Sequence, residues 1–145
     1  MTGGDWAPGR IEGIYLVTDT QLCGSRALVG PDAVVGLTAN TPDHLEVLHA
    51  LPPGTVDYLG VGVIRPTATK PDHPVPLGVD GFGRIAAATA LPCVAIGGIE
   101  SPDVDALRAA GAAGIAVVSA ICASDDPERS AKELVAQWGR QNTNR

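Results

Sequence analysis

Five short apolar runs recur along the chain: Ile14–Val17, Val34–Leu37, Tyr58–Ile64, Cys93–Ile96 and Ile115–Val118. Each is near-continuous rather than alternating, the pattern of parallel strands covered on both faces. The stretches between them carry a start signal used three times: Thr41-Pro42-Asp43, Ser101-Pro102-Asp103 and Asp126-Pro127-Glu128. Each triplet offers a capping oxygen, a proline at the first helical position and an acid against the positive end of the helix dipole. The helices so begun place Leu45 and Leu48 on one face, then Val104 and Leu107 before a stop at Gly111, then Ala131, Leu134, Val135 and Trp138. A weaker helix is predicted near Gly81–Thr89, with Phe82 and Ile85 inward. Strands alternating with helices in this order predict an α/β fold built on a parallel sheet.

At 145 residues the chain is long enough for one domain with a substantial core. The reading places that domain at 11–138, between a flexible lead at 1–10 and a flexible tail at 139–145. A net charge of −6 argues against a nucleic-acid or anionic-membrane partner. An anionic ligand would need local cations, and Arg65, Lys70 and Arg84 fall in one short region. Cys23, Cys93 and Cys122 are odd in number and form no C-x-x-C pair, which fits buried thiols in a reducing, cytoplasmic setting. No apolar stretch reaches the length of a membrane span, and no secretory apolar region stands near the first residue.

Three strand ends share one chemistry. Pro66-Thr67-Ala68-Thr69-Lys70 follows the Tyr58–Ile64 run, Gly97-Gly98-Ile99 follows Cys93–Ile96, and Ser119-Ala120-Ile121 follows Ile115–Val118. Hydroxyls, an ammonium and glycine amides are the groups that hold phosphate, and parallel α/β folds place ligands at the carboxyl ends of their strands. Alone, a Gly-Gly reads as a tight turn, a serine as a cap and Thr-x-Thr-Lys as a solvated loop. Their recurrence at three successive strand ends points to an anion site. His44 and His49 fall on the exposed side of their helix and His73 in the proline-rich loop. No catalytic triad, zinc spacing or Walker loop is present.

These residues resemble the thiamine phosphate synthase family, whose members are (β/α)8 barrels. The matching blocks are Tyr15-Leu16-Val17-Thr18-Asp19, Gly36-Leu37-Thr38-Ala39-Asn40-Thr41, Asp57-Tyr58-Leu59-Gly60-Val61-Gly62, Pro66-Thr67-Ala68-Thr69-Lys70-Pro71, Ala95-Ile96-Gly97-Gly98-Ile99 and Gly114-Ile115-Ala116-Val117-Val118-Ser119-Ala120-Ile121. The resemblance covers 11–23 and about 28–138. It implies a transferase of thiamine biosynthesis that joins a pyrimidine methyl diphosphate to a carboxythiazole phosphate, giving thiamine phosphate, pyrophosphate and carbon dioxide. It also implies Mg²⁺ and cationic side chains on the departing pyrophosphate. Carried over by position, Thr67, Thr69, Gly98, Val118 and Ser119 would bind the thiazole phosphate. Lys70 and Thr38 would contact the pyrimidine diphosphate as the catalytic groups, Thr38 standing where the family usually has serine.

The chain departs from that family between Cys23 and Ala27. The family's Q-x-R-x-K strand, N-D pair and second aspartate, which supply the diphosphate cradle and the Mg²⁺ carboxylates, have no counterpart here. The expected fold is therefore a partial (β/α)8 barrel of about five parallel strands, with the family's second to fourth strands missing. Five strands leave sheet edges open, and open edges favour homo-oligomers or pairing with a complete synthase chain. A TenI-type thiazole tautomerase is the enzymatic alternative, although Asn40 stands near the position of that enzyme's proton-transfer histidine. The non-enzymatic alternative is a thiazole-phosphate-binding remnant.

Overall fold

The computed structural model describes residues 34–67 and 74–139. In chain order it contains β1 (Gly36–Thr38), α1 (Pro42–Ala50), β2 (Tyr58–Gly62), α2 (Gly78–Ala87) and β3 (Cys93–Ile96). A 3-10 turn at Ser101–Asp103 runs into α3 (Val104–Ala109), followed by β4 (Gly114–Ala116), the one-turn α4 (Ser119–Cys122) and α5 (Pro127–Gly139). The strands form a parallel sheet in sequential order β1-β2-β3-β4. Parallel neighbours need a crossover, and α1, α2 and α3 supply the three. The Ile14–Val17 run, its pairing across the Cys23–Ala27 seam, and the lead at 1–10 lie outside the described residues.

The register sorts side chains by period two. Leu37, Leu59 and Cys93 form one cross-strand row and Val61, Ala95 and Ile115 the next. Leu59, Val61 and Ala95 are fully buried there, under Phe82 and Ile85 of α2 and Leu107 of α3. The other face carries Thr38, Gly60, Val94 and Gly114 in one row and Gly62, Ile96 and Ala116 in the next. Thr38 is exposed and Ile96 is 45% exposed. The expectation of strands covered on both faces is thus met on one face only among the described residues. The sequence run is apolar on both sides because β-branched residues suit the pleat whichever way they point.

Helix signals hold with local corrections. Proline opens α1, and Asp126 accepts a hydrogen bond from the Arg129 amide at 3.0 Å, as an N-cap should. Thr41 makes no side-chain cap bond. Instead His44 Nδ1 accepts from the Asn40 amide at 3.0 Å, which gives that histidine a structural task. At Ser101-Pro102-Asp103 the cap position falls on Glu100, with Ser101 inside the 3-10 turn and its hydroxyl bonded to Gln137 Oε1. Leu134 of α5 is buried, but Val135 is 73% exposed, so the apolar stripe of that helix is narrower than its sequence implied. Cys93 is buried as expected, whereas Cys122 is exposed because the short α4 turns it outward.

The end of α5 is fixed by a partner with no local sequence signal. Arg108 of α3 donates through Nη1 to the carbonyl oxygens of Trp138 and Gln137, and its guanidinium lies 5.8 Å from the Trp138 ring centroid. A cation on the last carbonyls of a helix satisfies orphan acceptors and the negative dipole end together.

Candidate functional site at the carboxyl edge of the sheet

Parallel strands in sequential order bring every strand end to one edge. Thr38 ends β1, the segment 63–67 leaves β2, Gly97-Gly98 leaves β3, and Val117-Val118-Ser119 leads from β4 into α4. The structure thereby brings Thr38, Thr67, Gly98, Val118 and Ser119 to the same edge, on four neighbouring strands. Thr38, Val118 and Ser119 are exposed there, and Thr67 is half-buried. Thr69 and Lys70 lie outside the described residues.

The exits from β2 and β3 are built as one unit. The Ile64 amide donates to the carbonyl oxygens of Ile96 and Gly97 at 3.1 Å each, and the Arg65 amide donates to Gly97 at 3.0 Å. On the return side the Leu77 and Gly78 amides donate to the carbonyls of Val63 and Ile64, at 2.8 and 3.0 Å. The proline-rich excursion therefore leaves and returns at a single point on the sheet edge.

Gly98 has a positive φ of 66°, and a Cβ there would lie 2.6 Å from the Arg65 carbonyl oxygen and 2.8 Å from that of Pro66. Glycine is required by this close approach of two loops and by the left-handed backbone. That requirement exists with or without a bound anion.

One ion pair joins the same two exits. Arg65 Nε donates to both carboxylate oxygens of Asp103, at 2.9 and 2.8 Å, and Nη2 reaches Oδ1 at 2.5 Å. Asp103 is 3% exposed and is the buried charged residue of the described core. Its Oδ2 also accepts from the Glu100 amide at 3.1 Å. The Arg65 hydrogen bonds hold the Asp103 carboxyl below the usual carboxylate range, against the opposing effect of burial. The sequence marked Asp103 only as an acid at a helix start, and Arg65 only as a cation near the loop. Their separation of 38 residues left no local signal of the pair.

Among the described residues no group of three or more His, Cys, Asp or Glu side chains comes together. With Asp103 committed to Arg65, these residues do not fit a magnesium site. No helix among the described residues is long and apolar enough to cross a membrane.

Comparison with known proteins identifies the family. The sequence profile of thiamine monophosphate synthase matches residues 13–121, a span that includes all four described strands. A thiamine-phosphate synthase of Psychrobacter sp. (strain PRwf-1) is 43% identical over 119 residues, which cover 82% of this chain and 56% of the relative. One from Azorhizobium caulinodans is 44% identical over 124 residues, covering 85% and 57%. Among solved structures, thiamine phosphate pyrophosphorylase from Pyrococcus furiosus superposes with a TM-score of 0.64 at 26% identity, over 78% of this chain and 52% of that one. The chain thus spans about half the length of the curated relatives it matches. A profile match across most of the chain, relatives above 40% identity and a solved structure that superposes converge, and the chain belongs to the thiamine monophosphate synthase family.

Proposed function

We propose that the chain acts in thiamine biosynthesis and carries the thiazole-phosphate half of a thiamine phosphate synthase site. The reaction joins a pyrimidine methyl diphosphate to a carboxythiazole phosphate with loss of pyrophosphate and carbon dioxide. The sheet is a sector of a (β/α)8 barrel in this reading, lacking the family's second to fourth strands. Parallel strands in sequential order, with helices on one face, support it. So does the half-length coverage of the relatives.

The observation that carries the proposal is the joined exit of β2 and β3, hydrogen-bonded through Gly97 and flanked by Ser119 after β4. In this reading the thiazole phosphate sits against Thr67, Thr69, Gly98, Val118 and Ser119. Hydroxyls and main-chain amides donate to its oxygens, and the hydrogen-bonded exits of β2 and β3 bear little reorganisation on binding. Lys70 and Thr38 face the pyrimidine diphosphate, where an ammonium and a hydroxyl stabilise charge on the departing pyrophosphate. The partners are small phosphorylated substrates, and a second copy or a complete synthase chain would cover the open sheet. A cytoplasmic location suits these substrates.

The test is turnover by the purified chain with both substrates and Mg²⁺, reading thiamine phosphate, beside binding of the thiazole phosphate alone. Thiazole-phosphate binding that Ser119→Ala weakens is the expected result. Absence of both product and binding overturns the assignment. A non-catalytic binding role is favoured by one observation, the lack of a carboxylate cluster among the described residues. Binding without product selects it.

A further inference from the structure

We propose that Asp103 and Arg65 form a positioning pair that sets the spacing of the two anion-facing loops, a role that rests on the phosphate-site reading above. One buried carboxylate holds both sides. It grips the Arg65 side chain at the root of the loop after β2, through Nε and Nη2. It also accepts the Glu100 amide just beyond Gly97-Gly98, at the end of the loop after β3. Between these grips the loops touch directly, with Gly98 against the carbonyls of Arg65 and Pro66. The Arg65 amide is bonded to Gly97 in the same unit. A shift in the carboxylate therefore moves Thr67 and Gly98 relative to each other.

The geometry of the pair suits positioning. A two-point contact between a planar guanidinium and a carboxylate fixes orientation as well as distance. The Arg65 side chain is 55% exposed and that of Asp103 only 4%. The buried partner is thus the fixed member, and the arginine is drawn to it across the loop root. The arginine also neutralises a carboxylate that lies beside the proposed phosphate position. An uncompensated Asp103 would oppose an anion there.

The experiment compares the full chain with Arg65→Gln, Asp103→Asn and the double variant. Hydrogen exchange reads the loops without any ligand. The expected result is exchange at the Ile64, Arg65 and Glu100 amides about tenfold faster or more in each variant. The strand amides of Val61 and Ala95 should stay unchanged. Titration with carboxythiazole phosphate and with its dephosphorylated alcohol reads the site. Each single variant should bind the phosphate about tenfold more weakly, with little change for the alcohol. The double variant should be no weaker than the worse single one, because both remove the same contact.

Unchanged exchange at both loops in folded variants overturns the proposal, as does strictly additive loss in the double variant. If Asp103→Asn fails to fold, Arg65→Gln at the exposed partner still decides it. Failure of the parent chain to bind the phosphate overturns the functional reading instead, and the exchange result then judges the pair by itself.

Discussion

Asp103 ties the exits of two strands together at the edge of this sheet. Its carboxyl is held below the ordinary value by Arg65. The stabilisation it contributes is therefore fully present above the unfolded-state value of about 3.9 and fades as pH falls through the lower folded-state value. Thermal melts should show Asp103→Asn less stable than the parent at neutral pH, with the gap narrowing below pH of about 4. A gap that stays constant with pH would mean that the charge of Asp103 has no part in stability. Gly98 gives a second prediction at this scale. Gly98→Ala forces a side chain into a left-handed backbone and against two carbonyls. Urea unfolding should report a loss of at least about 1–2 kcal/mol. A neutral effect would show that the loops move apart freely.

Elements were legible in proportion to how local their causes are. Proline and acid at Pro42-Asp43 and Pro127-Glu128 marked two helix starts, and the β2 and β3 runs marked the central strands, because these signals lie within a few residues. Cys93–Ile96 matches β3 to the residue, while β4 begins and ends earlier than its apolar run, which continues into the approach to α4. Strand ends depend on which backbone groups find partners across the sheet, and that is a tertiary matter. The narrow stripe of α5, the Arg65–Asp103 pair and the Arg108 cap were hidden for the same reason. The cap yields a prediction for its helix. Arg108→Met should cost about 1–2 kcal/mol and speed exchange in the last turn of α5. A variant of unchanged stability and exchange would remove Arg108 from the account of that helix.

At the scale of the whole molecule, the described sheet buries one face under helices, while the opposite face carries Tyr58 and Val94, partly exposed, and Ile96, 45% exposed. The outer edges of β1 and β4 have no strand beside them among the described residues. Exposed apolar surface of this kind favours association. Sedimentation velocity should find the chain as a dimer or larger, and Ile96→Asp should shift it toward monomer. A stable monomer at every concentration would contradict that. The placement of Thr67, Gly98 and Ser119 at strand ends was legible from the apolar runs that they follow, while the coverage of the sheet did not show in any run of residues. The measurement that bears most directly on the central claim is calorimetric titration of the purified chain with carboxythiazole phosphate, beside the dephosphorylated alcohol. The account predicts saturable binding of one phosphate ester per chain, much weaker binding of the alcohol, and loss of the difference in Ser119→Ala. Equal binding of both compounds, or of neither, would contradict it.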